Sequence, residues 1–344
     1  MRIFLTGATG HLGRNIVDSL LDGGHEVVAL TRGDAPSLPA QVTPARGDLL
    51  DADSLVRAGR DCELTVHCAA VYADDPARAH EMSEVAVRGT RHVLDAAAAN
   101  GHQRVVAASS MVTVGFSSDR RDARSENDWN HRPFHPYFCA KVDAEREAWR
   151  HAVVCRVPLV MLCPGGLIGP LDHRLTPTMR YLAELANGTA QTLQGGVNYV
   201  DVRDVADAFV AATTRATPGQ RYLLTGECIS MRELGQLVRS LTGTRPAHLP
   251  LPRRVVLGFA RLLQPDRYAM AKESVGRWPS FRSERAKADL SFHPRPVEES
   301  LADALRWLAR SGAIHPGRVA SWEGRLDPHG DLYAHREDSH ASLR

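Results

Sequence analysis

The chain opens MRIFLTGATGHLG, residues 1–13, and the reading of this stretch decides the fold. Residues 3–6 form a short apolar run suited to a strand, and over residues 12–21 apolar side chains return at helical spacing. The glycines between them therefore lie in a strand-to-helix turn. Such a turn aims backbone N–H groups at the helix N-terminus, where a pyrophosphate is held. Thr6-Gly7-Ala8-Thr9-Gly10-His11-Leu12-Gly13 spaces its glycines as G-x-x-G-x-x-G, one residue away from the G-x-G-x-x-G fingerprint. Glycine suits these positions because a Cβ would obstruct both the turn and the phosphates. Gly7, Thr9, Gly10, His11, Leu12 and Gly13 are the cofactor candidates of the turn.

Outward from this turn, short β-branched runs alternate with longer Ala- and Leu-rich segments up to about residue 160. Strands are predicted at 3–6, 27–31, 64–68, 105–109 and 153–157, and helices at 12–21, 53–58, 77–100 and 137–151. Repeated β-α units imply a Rossmann-type α/β fold, a doubly wound parallel sheet. Past Pro164 the regularity weakens, which suggests a smaller C-terminal α/β substrate lobe. There a helix at 178–187, strands at 198–202 and 221–225, a helix at 205–214 returning to the main sheet, a helix after Ser230 and an amphipathic helix at 297–309 are expected. The domain expectation is 1–164 plus about 198–215 for the dinucleotide unit, 165–314 for the lobe, and a mobile tail at 315–344.

Where the second strand ends, the sequence reads Thr31-Arg32-Gly33. A carboxylate there would hold a ribose 2′-hydroxyl; a guanidinium suits a 2′-phosphate. Arg32 thus favours NADP(H), with NAD(H) the alternative and Asp34 close by. Further on, Tyr137 and Lys141 stand four apart on a helix, hence on one face. A nearby ammonium eases loss of the phenolic proton, so Tyr137 can act as proton donor and acceptor. Ser110 lies at the end of the fourth strand, the edge where parallel sheets bind ligands, and its hydroxyl can hold a substrate oxygen.

Together TGATGHLG at 6–13, HCAA at 67–70, SSMVTVG at 109–115 and YFCAK at 137–141 resemble the extended short-chain dehydrogenase/reductase family, of the epimerase/dehydratase type. Arg156, the CPGG of 163–166, Gly169-Pro170 and NYVDVRDVA at 198–206 extend the likeness to about residue 310. Arg32, SENDW at 125–129 and GQRY at 219–222 make it most similar to the dihydroflavonol-reductase-like group. The resemblance implies Ser110, Tyr137 and Lys141 as the catalytic set, with Lys141 also gripping the nicotinamide ribose. It further implies cofactor contacts from Asp48, Leu49, Ala69, Ala70 and Pro164. One departure is Ala86 in A-V-R-G-T, where relatives often carry Asn, so an Asn-mediated proton relay is not available here.

The leading expectation is an NADP(H)-dependent oxidoreductase interconverting a carbonyl and an alcohol on a small hydrophobic molecule. An NAD-dependent nucleotide-sugar 4-epimerase, with Arg277 and Arg282 as phosphate contacts, is the alternative, and a non-catalytic dinucleotide sensor a lower one. Dehydration is disfavoured because Met111-Val112 stand where an acid-base pair is needed. With 42 Lys and Arg against 40 acidic residues, a formal charge of +2, no field large enough to recruit nucleic acid or an anionic membrane is implied. Six scattered cysteines without a C-x-x-C pair suit a reducing compartment. An N-terminus that is already strand and turn suggests a soluble, cytoplasmic protein. The apolar run 255–263 is too short to span a bilayer and is expected to be a core helix. Neither a metal nor a membrane partner is expected, and the chain is expected to be a monomer or homodimer.

Overall fold

The computed structural model describes residues 1–34, 38–70, 79–322 and 324–330. In chain order the first half builds β1 (Arg2–Thr6), α1 (His11–Asp22), β2 (Glu26–Thr31), β3 (Thr43–Arg46), α2 (Ala52–Ala58), β4 (Leu64–His67), α3 (Ala79–Ala99), β5 (Val105–Ala108), α4 (Pro136–Cys155) and β6 (Leu159–Pro164). The second half adds β7 (Gly166–Ile168), α5 (Pro177–Asn187), β8 (Gly196–Asp201), α6 (Val202–Ala212), β9 (Arg221–Leu224), β10 (Cys228–Ser230), α7 (Met231–Thr242), α8 (Arg253–Leu263), α9 (Pro265–Ser274), α10 (Glu284–Leu290), α11 (Val297–Arg310) and α12 (Pro316–Val319).

Strands β1, β4 and β6 are buried on both faces, as in a sheet covered on both sides. The large sheet is parallel throughout, in the order β3-β2-β1-β4-β5-β6-β9. Its order reverses between β1 and β4, where Leu5 pairs Ala29 on one side and Val66 on the other. Ligands of such sheets bind beyond the strand ends at this reversal. The small sheet runs β10-β8-β7. One apolar cluster joins β1, α1, α6 and β9 through residues such as Ile16, Val205, Phe209 and Tyr222. A second, with Met179, Leu182, Leu234, Leu305 and Trp322, is the core of the lobe.

Four expectations need correction. The run 153–157 is the end of α4, closed by Arg156 in the left-handed region at φ 56°, and the strand starts at Leu159, just past Pro158. The left-handed Arg156 and then Pro158 end the helix, and Val153 and Val154 of its last turn face solvent. Strand 221–225, assigned by pattern to the lobe, supplies the seventh strand of the large sheet beside β6. The tail does not begin at His315: α12 follows, and Trp322 and Leu326 are buried in the lobe core, two isolated apolar residues that periodicity cannot reveal. Residues 331–344, with His335 and His340, lie outside the described residues, as do 77–78 of the helix predicted at 77–100. Finally, α8 is not a core helix. Only Ala260 of it is buried, whereas Val255, Phe259, Leu262 and Leu263 face outward.

Candidate active site

The glycine turn sits at the sheet reversal and its geometry explains each glycine. Gly7 adopts φ 84°, and a Cβ on it would lie 2.6 Å from the Ala69 nitrogen on the β4 side of the crevice. A Cβ on Gly13 would run into the Gly7 carbonyl oxygen. Gly10 begins α1 with no side-chain cap, and the first turn holds no acidic residue. The positive end of α1 and the N–H groups of its first turn are therefore left for an anion. That cradle fits a dinucleotide pyrophosphate.

Around it the other cofactor candidates divide. Ala69 and Ala70 line the crevice with Lys141, and Ala69 donates its N–H to Thr6 Oγ1 at 3.4 Å. Exposed Arg32 directly follows β2. Asp48 spends its carboxylate on its own turn, accepting from Leu50 N at 2.8 Å, while the Leu49 carbonyl accepts from the His92 ring. Pro164 is buried at the end of β6. The His11 ring turns away from the crevice, to the Pro170 carbonyl at 3.0 Å, and burial lowers its pKa. Leu12 and Thr9 are half-buried. Thr9 receives a hydrogen bond from the Arg174 guanidinium at 2.9 Å, so the lobe reaches over the turn. Arg174, far along the chain from the glycines, carries no local motif and the sequence reading missed it.

Tyr137 and Lys141 occupy successive turns of α4. The helix is started by His135, whose ring accepts from Tyr137 N at 3.2 Å, and by Pro136. One turn further on the same face is Glu145, buried and paired with Arg221 at 2.6 Å. Glu145 also accepts from the Ser109 hydroxyl, and Arg221 donates to Thr113 Oγ1 and stacks 4.0 Å over the Trp129 ring. The hub thereby locks the end of β5 to α4. Ser110, the next residue, is buried and its Oγ accepts from Val112 N at 3.3 Å, capping a 3-10 turn at Met111–Thr113. Its hydroxyl hydrogen is not used in that cap.

Beneath Lys141 runs a chain of neutral hydrogen bonds. Thr90 donates to the Ala86 carbonyl at 2.6 Å, so its Oγ1 accepts from His67 Nε2 at 3.4 Å. His67 Nδ1 then accepts from Thr6 Oγ1 at 2.7 Å, and Thr6 Oγ1 in turn accepts from Ala69 N. Burial, aided by the Lys141 charge, pushes the His67 pKa down to about 4. Burial pushes the Cys68 thiol up to about 12, against the pull of Lys141. His67, Ala69, Thr90, Ser109, Lys141 and Glu145 line one cleft. Sequence reading quoted HCAA without assigning His67 a part; a lone His at a strand end, followed by small residues, was the available signal.

Arg277 and Arg282 are not in that cleft: Arg277 faces Arg253, and Arg282 faces Asp128. A wider depression of about 850 Å³, between the end of α11 and residues 324–329, contains none of the candidate residues. Among the described residues one grouping, Asp95, His151 and Cys155, has metal-ligand chemistry. His151 lies about 15 Å along α4 from Lys141 and pairs with Asp95 at 2.6 Å.

Comparison with known proteins gives three findings. The profile of the NAD dependent epimerase/dehydratase family matches residues 3–224. Sterol demethylase protein B of Methylococcus capsulatus is 30% identical over 332 residues, covering 91% of this chain and 100% of that protein, and cinnamoyl-CoA reductase 1 of Oryza sativa subsp. japonica is 31% identical over 331 residues, covering 91% of each. The crystal structure of gox2253 superposes with a TM-score of 0.82 at 27% identity, covering 91% of this chain and 99% of that one.

Proposed function

The chain belongs to the NAD dependent epimerase/dehydratase family and is an NAD(P)-dependent oxidoreductase of the extended short-chain type; from that premise we propose that it is an NADP(H)-linked reductase interconverting a carbonyl and an alcohol on a small apolar molecule. The observation that carries this reading is the single face of α4 that bears Tyr137 and Lys141, with Ser110 held beside it through Ser109 and Glu145.

In this reading a nicotinamide cofactor held at the glycine turn would supply the hydride for the substrate's carbonyl carbon in reduction and take it up in oxidation. Tyr137 gives its phenolic proton to the substrate oxygen in reduction and takes it back in oxidation. The Ser110 hydroxyl donates a hydrogen bond to the same oxygen and orients it. Lys141 favours the phenolate through its charge and holds the nicotinamide ribose. Gly7, Gly10 and Gly13 leave room for the pyrophosphate, with Arg174 positioned to add a cation above it. Arg32 takes the 2′-phosphate, which supports NADP(H) over NAD(H). The relative named for a sterol supports an apolar substrate class.

Titration with NADPH and NADH, followed by nicotinamide fluorescence, should give tighter binding of NADPH, with Arg32→Ala removing the preference. Tyr137→Phe should keep cofactor affinity and lose at least about 10²-fold of turnover on a carbonyl panel. Full turnover in that variant would end the Tyr137 assignment. Tightly retained NAD would favour epimerisation.

A further inference from the structure

We propose that the α8–α9 hairpin is a peripheral docking surface for an anionic lipid bilayer. Eight large hydrophobic residues are exposed among the described residues, and five of them, Leu251, Val255, Phe259, Leu262 and Leu263, fall within residues 251–263. At 100° per residue, Val255, Phe259, Leu262 and Leu263 form one band along α8, with Leu262 81% and Leu263 66% exposed. Arg254 and Arg261 lie together on one flank of the same helix, about 80–100° round from Leu262 at the border of the band, both exposed. A helix with an apolar band, a cationic edge and little overall hydrophobicity lies in the plane of a membrane interface.

Charge identifies the occupant. Residues 251–274 hold five cationic side chains and two carboxylates, of which Glu273 is taken by backbone N–H groups, in a chain whose formal charge is only +2. Arg253 is used internally, donating to the Val275 and Lys272 carbonyls and so pinning α8 to the end of α9. Arg254, Arg261 and Arg267 are exposed and have no ion-pair partner among the described residues. Anionic headgroups supply those partners while the band enters the acyl boundary.

The hairpin is also built onto the candidate active site. Glu273 accepts the backbone N–H groups of Phe134 and His135, at 2.5 and 3.2 Å. Tyr268 meets the exposed Phe134 ring edge-on at 5.9 Å, and Lys272 Nζ stands 3.4 Å over it. His135 caps the helix turn that carries Tyr137. The end of α9 thus stands against the residues that lead into Tyr137, and passage of a molecule from the bilayer toward that helix rests on the apolar-substrate reading; the docking itself does not.

The test is sedimentation of the full chain with vesicles of phosphatidylcholine alone and of phosphatidylcholine mixed with phosphatidylglycerol. The chain should partition onto the mixed vesicles, more weakly as salt rises. Phe259→Ser with Leu262→Ser, and separately Arg254→Glu with Arg261→Glu, should each reduce partitioning at least about tenfold while NADPH affinity is unchanged. Partitioning no greater than on phosphatidylcholine alone, or variants that bind as the parent does, would overturn the proposal. So would a concentration-dependent dimer that the Phe259→Ser, Leu262→Ser pair dissolves without any vesicle binding, which would assign the band to a second copy. Vesicle binding requires no turnover, so its outcome is separable from failure of the reductase reading.

Discussion

His67 stays neutral because its position leaves no room for charge. It is buried, faces the Lys141 ammonium, and has one ring nitrogen accepting from Thr6 and the other donating to Thr90. The unfolded chain takes a proton at 6.5, whereas the folded chain resists until about 4. Between those values the unfolded state binds more protons, so the contribution is intact above pH 6.5 and falls away as pH drops toward 4. Between pH 7 and pH 5 His67 should cost roughly 2 kcal/mol of stability. His11 and His102, also lowered chiefly by burial, act in the same direction. Urea unfolding at the two pH values should show His67→Gln losing about 2 kcal/mol less than the parent over this interval; equal losses would remove His67 from the acid response. The glycine turn and the placing of Tyr137 and Lys141 on one helix face are legible in sequence because both lie in local spacing. His67 and Arg174 act across distant segments, through Thr6, Thr90 and Thr9, and no window of sequence contains both partners.

At the level of elements, α4 is the part on which the proposed chemistry is mounted. Its Tyr137, Lys141 and Glu145 stack on successive turns, and Glu145 ties that face to β5, β9 and the 3-10 turn. Glu145→Ala would leave the Arg221 guanidinium buried without its carboxylate, a loss of about 3–5 kcal/mol measured by denaturant unfolding. Glu145→Met combined with Arg221→Met replaces a buried pair by apolar side chains and should recover most of that stability. Ser109 loses its carboxylate partner in the double variant and keeps only Thr113 Oγ1 at 3.4 Å, so turnover should stay low through kcat rather than KM. Recovery of turnover along with stability would show the hub to be structural only. The predicted span of α4, 137–151, fell short of the observed helix because Val153 and Val154 read as strand. Strand propensity reflects a half-buried pleated surface, and at this solvent-facing helix end no such surface exists. For α8 the error was opposite: an apolar run was taken for core, although nothing in the described structure covers its outer band.

Over the whole molecule, two apolar clusters are joined by a buried ionic bridge. Arg203, 1% exposed at the start of α6, donates to Asp201 at 2.7 Å and Asp303 of α11 at 2.5 Å. Burial works against the Asp201 charge, but the Arg203 fork holds its carboxyl below the usual range while it caps α6. α6 packs in the first cluster and α11 in the second, so the bridge couples their unfolding. Arg203→Met should cost about 3–5 kcal/mol and split a single calorimetric transition into two, the lobe melting first; one transition in the variant would show that the clusters are coupled by other contacts. The sequence by itself determined the β-α alternation, the parallel sheet and the glycine turn, because each depends on residues within one strand-turn-helix window whose periodicity is fixed by backbone geometry. Only the tertiary structure decided that β9 joins the large sheet, that Trp322 closes the lobe core, that Glu145 positions Ser109, and that the band of α8 stays outside. Those outcomes depend on which distant surfaces are buried together, and burial is a property of the packed chain that local spacing does not encode.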